Sequence, residues 1–295
     1  MIVNVHLHGS ADRWQMEGHT MRMRPKWGSP CDAAVMAGQS LVAPSRYADG
    51  HWLHYADAIR IGVMQEPRHK KVTAYRALES HGDEFDVILT WDDVILKRPN
   101  AVRHYASYGS FLRGRPLAKK TVLITAMSLR RQAARNHYEG YRMRAAAADM
   151  LVAMGITIYG TGHTPVPGRR TPGAPDSVYP GDKWEVTAPA QFEVAVECEK
   201  RKNWWSEKIL DCLVMKTVPI YRGAPNIGDF FDLRGMLIWD TIEELREIVE
   251  SIQSGQIKYA DFEPQLSANY VDAQMYTNDV RNCARKIAAI LEIYA

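Results

Sequence analysis

Residues 192–223 read FEVAVECEKRKNWWSEKILDCLVMKTVPIYRG. An apolar run, Phe192–Glu197, has the composition of a buried strand. A polar and aromatic loop follows, and Ser206 opens a helical pattern that runs to Lys216. Val218–Tyr221 is a second apolar strand. A strand–helix–strand of this length predicts a parallel pair with a crossover helix, the unit of an open α/β sheet.

The pattern extends in both directions. Downstream, Met236–Trp239 reads as a strand and Ile242–Ile252 as a helix. Upstream, Thr121–Ala126 is a strand, Tyr138–Met154 a helix stopped by Gly155, and Ile156–Tyr159 a strand. Residues 163–182, rich in Pro and Gly, read as a surface loop. Further upstream, Ile2–Leu7, Ile59–Met64 and Phe85–Trp91 read as strands, Val72–Leu78 as helix, and residues 9–52 as irregular. The basic segment Arg113–Lys120 is the expected linker, so the domains are expected at 1–117 (acceptor side) and 118–295 (nucleotide-sugar side). The tail from about Asn269 carries an apolar helical face through Val280, Ala284, Ile287, Ile290 and Leu291.

Composition bounds the function classes. The 295 residues carry a net charge of +3 with no long basic tract, which argues against a nucleic-acid binder and leaves room for a local anion site. Four cysteines without a CxxC pair point to reduced thiols rather than a disulfide scaffold or zinc knuckle. No apolar run approaches the ~20 residues that span a bilayer, and Met1–His8 lacks a signal-peptide pattern; a cytoplasmic protein without a transmembrane segment is expected. His6 and His8 share a strand face, a pair that is more often structural than metal-binding.

Three places invite chemistry. In an open parallel sheet ligands sit beyond the carboxyl ends of the strands. The helix opening at Ser206 offers free N–H groups and a partial positive charge to a phosphate, and Lys208 adds a full charge. Glu207 suits ribose hydroxyls, and Trp204 and Trp205 suit a base or ribose. Arg144, beside the apolar stripe of its helix, suits bidentate phosphate binding. Glu66, between a strand and Pro67, is a candidate general base. The plain alternatives are a capped helix with a solvated Glu–Lys pair, a snorkelling arginine and a solvated loop glutamate.

Taken together, these segments resemble the α1,3/1,4-fucosyltransferases. Glu197, Ser206-Glu207-Lys208 and VPIYRG are similar to that family's Phe-Glu-Asn strand end, Thr-Glu-Lys helix start and Val-Pro-(Val/Ile)-x-x-Gly strand. VMQEPRH, FDVILTW, Tyr108-Gly-Ser-Phe-Leu112, and KKTVLITAMS with Arg144 and ITIYG follow the family order, from about residue 59 to 240. The family asparagine after Glu197 is Cys198 here, and the family's Glu-Ser-Pro is shortened to Glu66-Pro67.

The resemblance implies a GT-B-like α/β fold, two Rossmann-like domains facing a cleft, with a C-terminal helix that could cross back. It implies an inverting transfer of fucose or a related sugar from a GDP-sugar to an acceptor hydroxyl. Arg144 and Lys208 would neutralise the diphosphate, Glu207 would hold donor hydroxyls, and Trp204 would stand for an aromatic near the nucleotide. Glu197 and Ser206 complete the implied donor set, and Glu66 would be the base. No metal or other cofactor is required, since two cations and a helix terminus can stabilise the leaving group. A GDP-sugar mutase on the same scaffold and a non-catalytic nucleotide- or glycan-binding module are the competing readings.

Overall fold

The computed structural model describes residues 1–6, 20–23, 31–37, 57–64, 66–105, 109–127, 138–160, 162–167, 181–276 and 279–294. They form two units, Met1–Tyr108 with Asp279–Ala295, and Gly109–Asn278.

In the first unit six parallel strands lie in the order β2-β1-β3-β4-β5-β6: β1 Ile2–His6, β2 Thr20–Met23, β3 Ala33–Ala37, β4 Ile59–Val63, β5 Val87–Thr90 and β6 Ala101–Arg103. Helix α1, Val72–His81, links β4 to β5. In-register pairing, Val3 with Ala33, Val35 with Ile61 and Val63 with Leu89, lines one face with small and branched apolar side chains. That face is covered by Ile287 and Leu291 of the last helix.

The expected irregular stretch thus holds two strands, β2 and β3. β6, AVR, is a third strand that the sequence pattern does not show: it is three residues long and lies at the sheet edge with Val102 and Arg103 exposed. His6 lies at the end of β1, while His8 falls outside the described residues, as does Leu7.

The second unit carries five parallel strands in the order β11-β10-β9-β7-β8: β7 Val122–Met127, β8 Ile158–Tyr159, β9 Ala190–Val196, β10 Val218–Arg222 and β11 Leu237–Ile238. Its helices are α2 Glu139–Ala153, α3 Trp184–Thr187, α4 Glu207–Val214, α5 Ile242–Gln253 and α6 Glu263–Tyr276. Gly155, at φ +76°, ends the turn after α2, a conformation that glycine adopts without penalty. Thr241 and Glu244 form a capping box at α5. Of the expected surface loop, residues 168–180 fall outside the described residues.

The expected division at 117/118 differs from the observed one in two ways. Arg113–Lys120 belongs to the second unit, where Arg115 and Lys120 are anchored. Arg115 pairs with Asp182 at 2.8 Å, and Lys120 donates to the Ala188 and Met215 carbonyls and to Thr217 Oγ1, each at 2.8 Å. The tail is two helices, and the second, α7 (Asp279–Tyr294), returns to the first unit. Its Ile287 and Leu291 are fully buried, and Lys286 Nζ donates to the Arg103 carbonyl at 3.0 Å.

Candidate functional site

The second sheet reverses its winding between β7 and β9. β8 lies outside β7 on one side, and β9, β10 and β11 continue on the other. The carboxyl ends of strands at such a reversal form the crevice where open α/β sheets bind ligands. Both connecting helices begin there. A Cβ on Gly140, in the first turn of α2, would overlap the Cys198 carbonyl oxygen, so the start of α2 abuts the chain leaving β9. A Cβ on Gly223, just past β10, would lie 2.6 Å from Glu197 Cγ. Glycines at these two points let three backbone segments converge.

At the centre of this convergence is Glu197, with no exposed surface. Ser206 donates to it from its backbone N–H at 2.8 Å, and Ser206 Oγ lies 2.8 Å from each carboxylate oxygen. Ser206 is the N-cap of α4; its hydroxyl accepts from the Lys208 N–H at 3.5 Å and from Lys208 Nζ at 3.0 Å. Lys208 Nζ also lies 3.1 Å from Glu207 Oε1 and 3.4 Å from Glu197 Oε2.

The first turn of α4 is thus tied to the end of β9 by a chain of polar contacts. Burial pushes the Glu207 carboxyl up, but the charges of Lys208 and Lys183 outweigh it and hold the group at about 2. Burial pushes the Lys208 ammonium down; Glu197 and Glu207 outweigh both that and the opposing charge of Arg144, so its proton is held more tightly than in water.

That opposing charge places Arg144 in the same electrostatic neighbourhood as Lys208. Arg144 is 8% exposed, on α2, with its guanidinium carbon 5.9 Å from the centre of the Tyr141 ring. The two cations singled out in the sequence, carried on separate helices, are thus close enough for the charge of one to be felt by the other. Trp204 is 2% exposed, in the loop leading into α4. Trp205 is a packing residue: it meets Phe230, Phe231 and Tyr276 edge-on, with ring centres 4.9–5.7 Å apart. Glu197, expected among the donor contacts, directs both oxygens at Ser206 and Lys208.

Glu66 lies in the first unit, just beyond the carboxyl end of β4. Its backbone carbonyl accepts from the Tyr75 hydroxyl at 3.1 Å, and its Oε2 lies 3.2 Å from Lys70 Nζ. Beside it Arg68 pairs with Glu79 and, at 3.2 Å, with the buried Asp92 beyond β5, and rests 4.5 Å above the Tyr75 ring. Asp92 is engaged in this pair and in accepting from the Val94 and Ile95 N–H groups. Among the described residues no group of three or more His, Cys, Asp and Glu is arranged to hold a metal ion, and no helix is long and apolar enough to cross a membrane.

Several polar residues escaped the sequence reading. Arg222, 3% exposed at the end of β10, pairs with Glu139 in the first turn of α2 and donates to the Asp240 carbonyl at 3.2 Å. Lys183 and Asp211 form a fully buried pair at 2.8 Å. A signal for Asp211 was present: a carboxylate one turn after Glu207, flanked by Ile209, Leu210, Cys212 and Leu213. Lys183 carried none, since it follows a loop-like stretch.

No family model matches the chain, and no curated protein matches its sequence. Solved structures do. A sucrose-phosphate synthase from Thermosynechococcus elongatus matches at 8% identity over 99% of this chain and 98% of that one, with a TM-score of 0.61. An α-glucosyltransferase in complex with UDP and DNA matches at 11% identity over 94% and 95%, with a TM-score of 0.55. An α1,3-fucosyltransferase matches at 13% identity over 91% and 81%, with TM-scores of 0.54 alone and 0.50 with GDP. At such identities the likeness establishes architecture: the chain has the α/β fold of GT-B glycosyltransferases.

Proposed function

We propose that the chain is an inverting glycosyltransferase that moves fucose or a related sugar from a GDP-sugar to an acceptor hydroxyl. The observation that carries the reading is the convergence of Arg144, Glu207 and Lys208 at the winding reversal of the second sheet, on a helix start locked by Glu197 and Ser206. Related folds solved with GDP and with UDP support a nucleoside diphosphate as ligand. The order of fucosyltransferase-like motifs supports GDP over UDP.

In this reading the diphosphate takes its place at the start of α4, at the positive end of the helix. Lys208 and Arg144 neutralise the charge that builds on the leaving diphosphate, and the water-poor setting strengthens their effect. Glu207, held ionised, accepts hydrogen bonds from donor hydroxyls and orients the sugar nucleotide. Glu66 removes the acceptor proton as the acceptor oxygen attacks the anomeric carbon from the face opposite the diphosphate.

The test is incubation with GDP-fucose, with and without a panel of sugar acceptors, followed by product analysis. Acceptor-dependent release of GDP with an inverted linkage is the expected result. A rearranged GDP-sugar in the absence of acceptor would replace this reading with a mutase. Binding without turnover on any acceptor would favour a non-catalytic module.

A further inference from the structure

Lys183 is 1% exposed, and the donor reading above gives it no contact with the ligand. A buried ammonium is costly unless it is paired, so its retention needs a physical reason. Its Nζ sits 2.8 Å from Asp211 Oδ2, and Asp211 has no exposed surface. The other oxygen of Asp211 accepts from Ser110 Oγ at 2.5 Å and from the Phe111 N–H at 2.8 Å. Asp211 is thereby fixed on both sides. It lies four residues after Glu207 on α4, so the two carboxylates share a helix face one turn apart. A cation clamped on Asp211 is therefore held one helical turn from Glu207, near enough for its charge to be felt there.

We propose that Lys183 is a positioning residue of the donor site, which braces α4 through Asp211 and keeps the Glu207 carboxylate placed to accept the ribose hydroxyls of the bound nucleotide. This rests on the donor reading given above. The charge distribution agrees with it. Lys183 follows Lys208 among the charges that hold Glu207 ionised against its burial. Glu193, the third carboxylate near Lys183, is itself pushed up by burial, so it competes weakly for that cation. Glu207 thus feels the charges of two lysines: Lys208, shared in this reading with the incoming diphosphate, and Lys183, buried and paired with Asp211.

The test uses the full chain and two probes, GDP and 2′,3′-dideoxy-GDP, titrated calorimetrically against wild type, Lys183→Met and Lys183→Arg. Wild type should prefer GDP over the dideoxy nucleotide. Lys183→Met should weaken GDP roughly tenfold or more and the dideoxy nucleotide by less than about threefold, because the lost bonds are charge-assisted ones to ribose. Lys183→Arg keeps the charge and should restore most of the preference. Should Lys183→Met fail to fold, Lys183→Gln, which is shorter and uncharged and so removes the ion pair with Asp211, carries the same expectation. A methionine or glutamine variant with the wild-type preference would overturn the proposal while leaving the donor reading intact. Equal weakening of both probes would reduce Lys183 to a packing residue. A wild type that binds GDP no better than the dideoxy nucleotide would overturn both the proposal and the assigned role of Glu207.

Discussion

Glu197→Gln separates a residue that anchors the site from one that touches the ligand. The substitution keeps shape and volume and removes one charge. Three contacts depend on that charge: the Ser206 N–H at 2.8 Å, Ser206 Oγ at 2.8 Å and Lys208 Nζ at 3.4 Å. A glutamine carbonyl still accepts from the N–H, and its amide can donate to the hydroxyl, so those two bonds are weakened rather than lost. The ion pair with Lys208 disappears. Hydrogen bonds to charged groups contribute about 1.5–3 kcal/mol, and breaking a buried pair costs about 3–5 kcal/mol. Lys208 is about a fifth exposed and keeps Glu207, so the expected loss sits near the lower figure, about 2–3 kcal/mol. Urea unfolding followed by tryptophan fluorescence reads it, with Trp204 and Trp205 buried beside the anchor. Calorimetry should find GDP affinity within about threefold of wild type, because Glu197 reaches the ligand only through Ser206 and Lys208. Unchanged stability together with a loss of GDP binding of roughly tenfold or more would refute this, and would make Glu197 a ligand contact.

The other expectations follow from the same geometry. Lys208→Ala and Arg144→Ala should each weaken GDP binding by about 1.5–3 kcal/mol, read by titration; a variant that binds like wild type was only structural. Arg144 is buried, so its variant needs a thermal melt alongside. Glu66→Gln should cut turnover by roughly 10²–10⁴-fold with GDP affinity nearly unchanged; near-normal turnover would remove Glu66 as the base. His104 is held at about 3, by burial first and then by the charge of Lys286. Its folded value lies below its unfolded one, so the unfolded chain binds the extra proton between about pH 6.5 and 3. The stability that His104 confers is present above that window and is lost as pH falls through it. His104→Gln should therefore flatten the acid limb of the stability curve over this range, and an unchanged limb would contradict the assignment.

The second unit was legible because its signals are local. A strand of seven residues, a serine N-cap and a glycine stop each fix structure within a few positions, so β9, α4 and the end of α2 fall close to where the pattern places them. The first unit was harder. AAVMA at β3 has the composition of a helix and becomes a strand because β1 and β4 flank it in register. TMRM at β2 alternates with an arginine, as an edge strand does, and four residues are too few to read. Arg113–Lys120 groups with the second unit, and this was not legible because basic residues with Gly and Pro look solvated until partners such as Asp182 and Thr217 come from 67 and 97 residues away. At the site, the adjacent trio Ser206-Glu207-Lys208 was readable as a unit. Lys183 with Asp211, and Arg222 with Glu139, are pairs across distant segments, and no periodicity announces them.

The most direct test of the central claim is a calorimetric titration of the wild-type chain with GDP and with UDP under the same conditions. GDP binding more tightly, with that binding weakened in Lys208→Ala, is the result expected of a GDP-sugar site built on the start of α4. Tighter binding of UDP, or GDP binding that ignores the loss of Lys208, would contradict it.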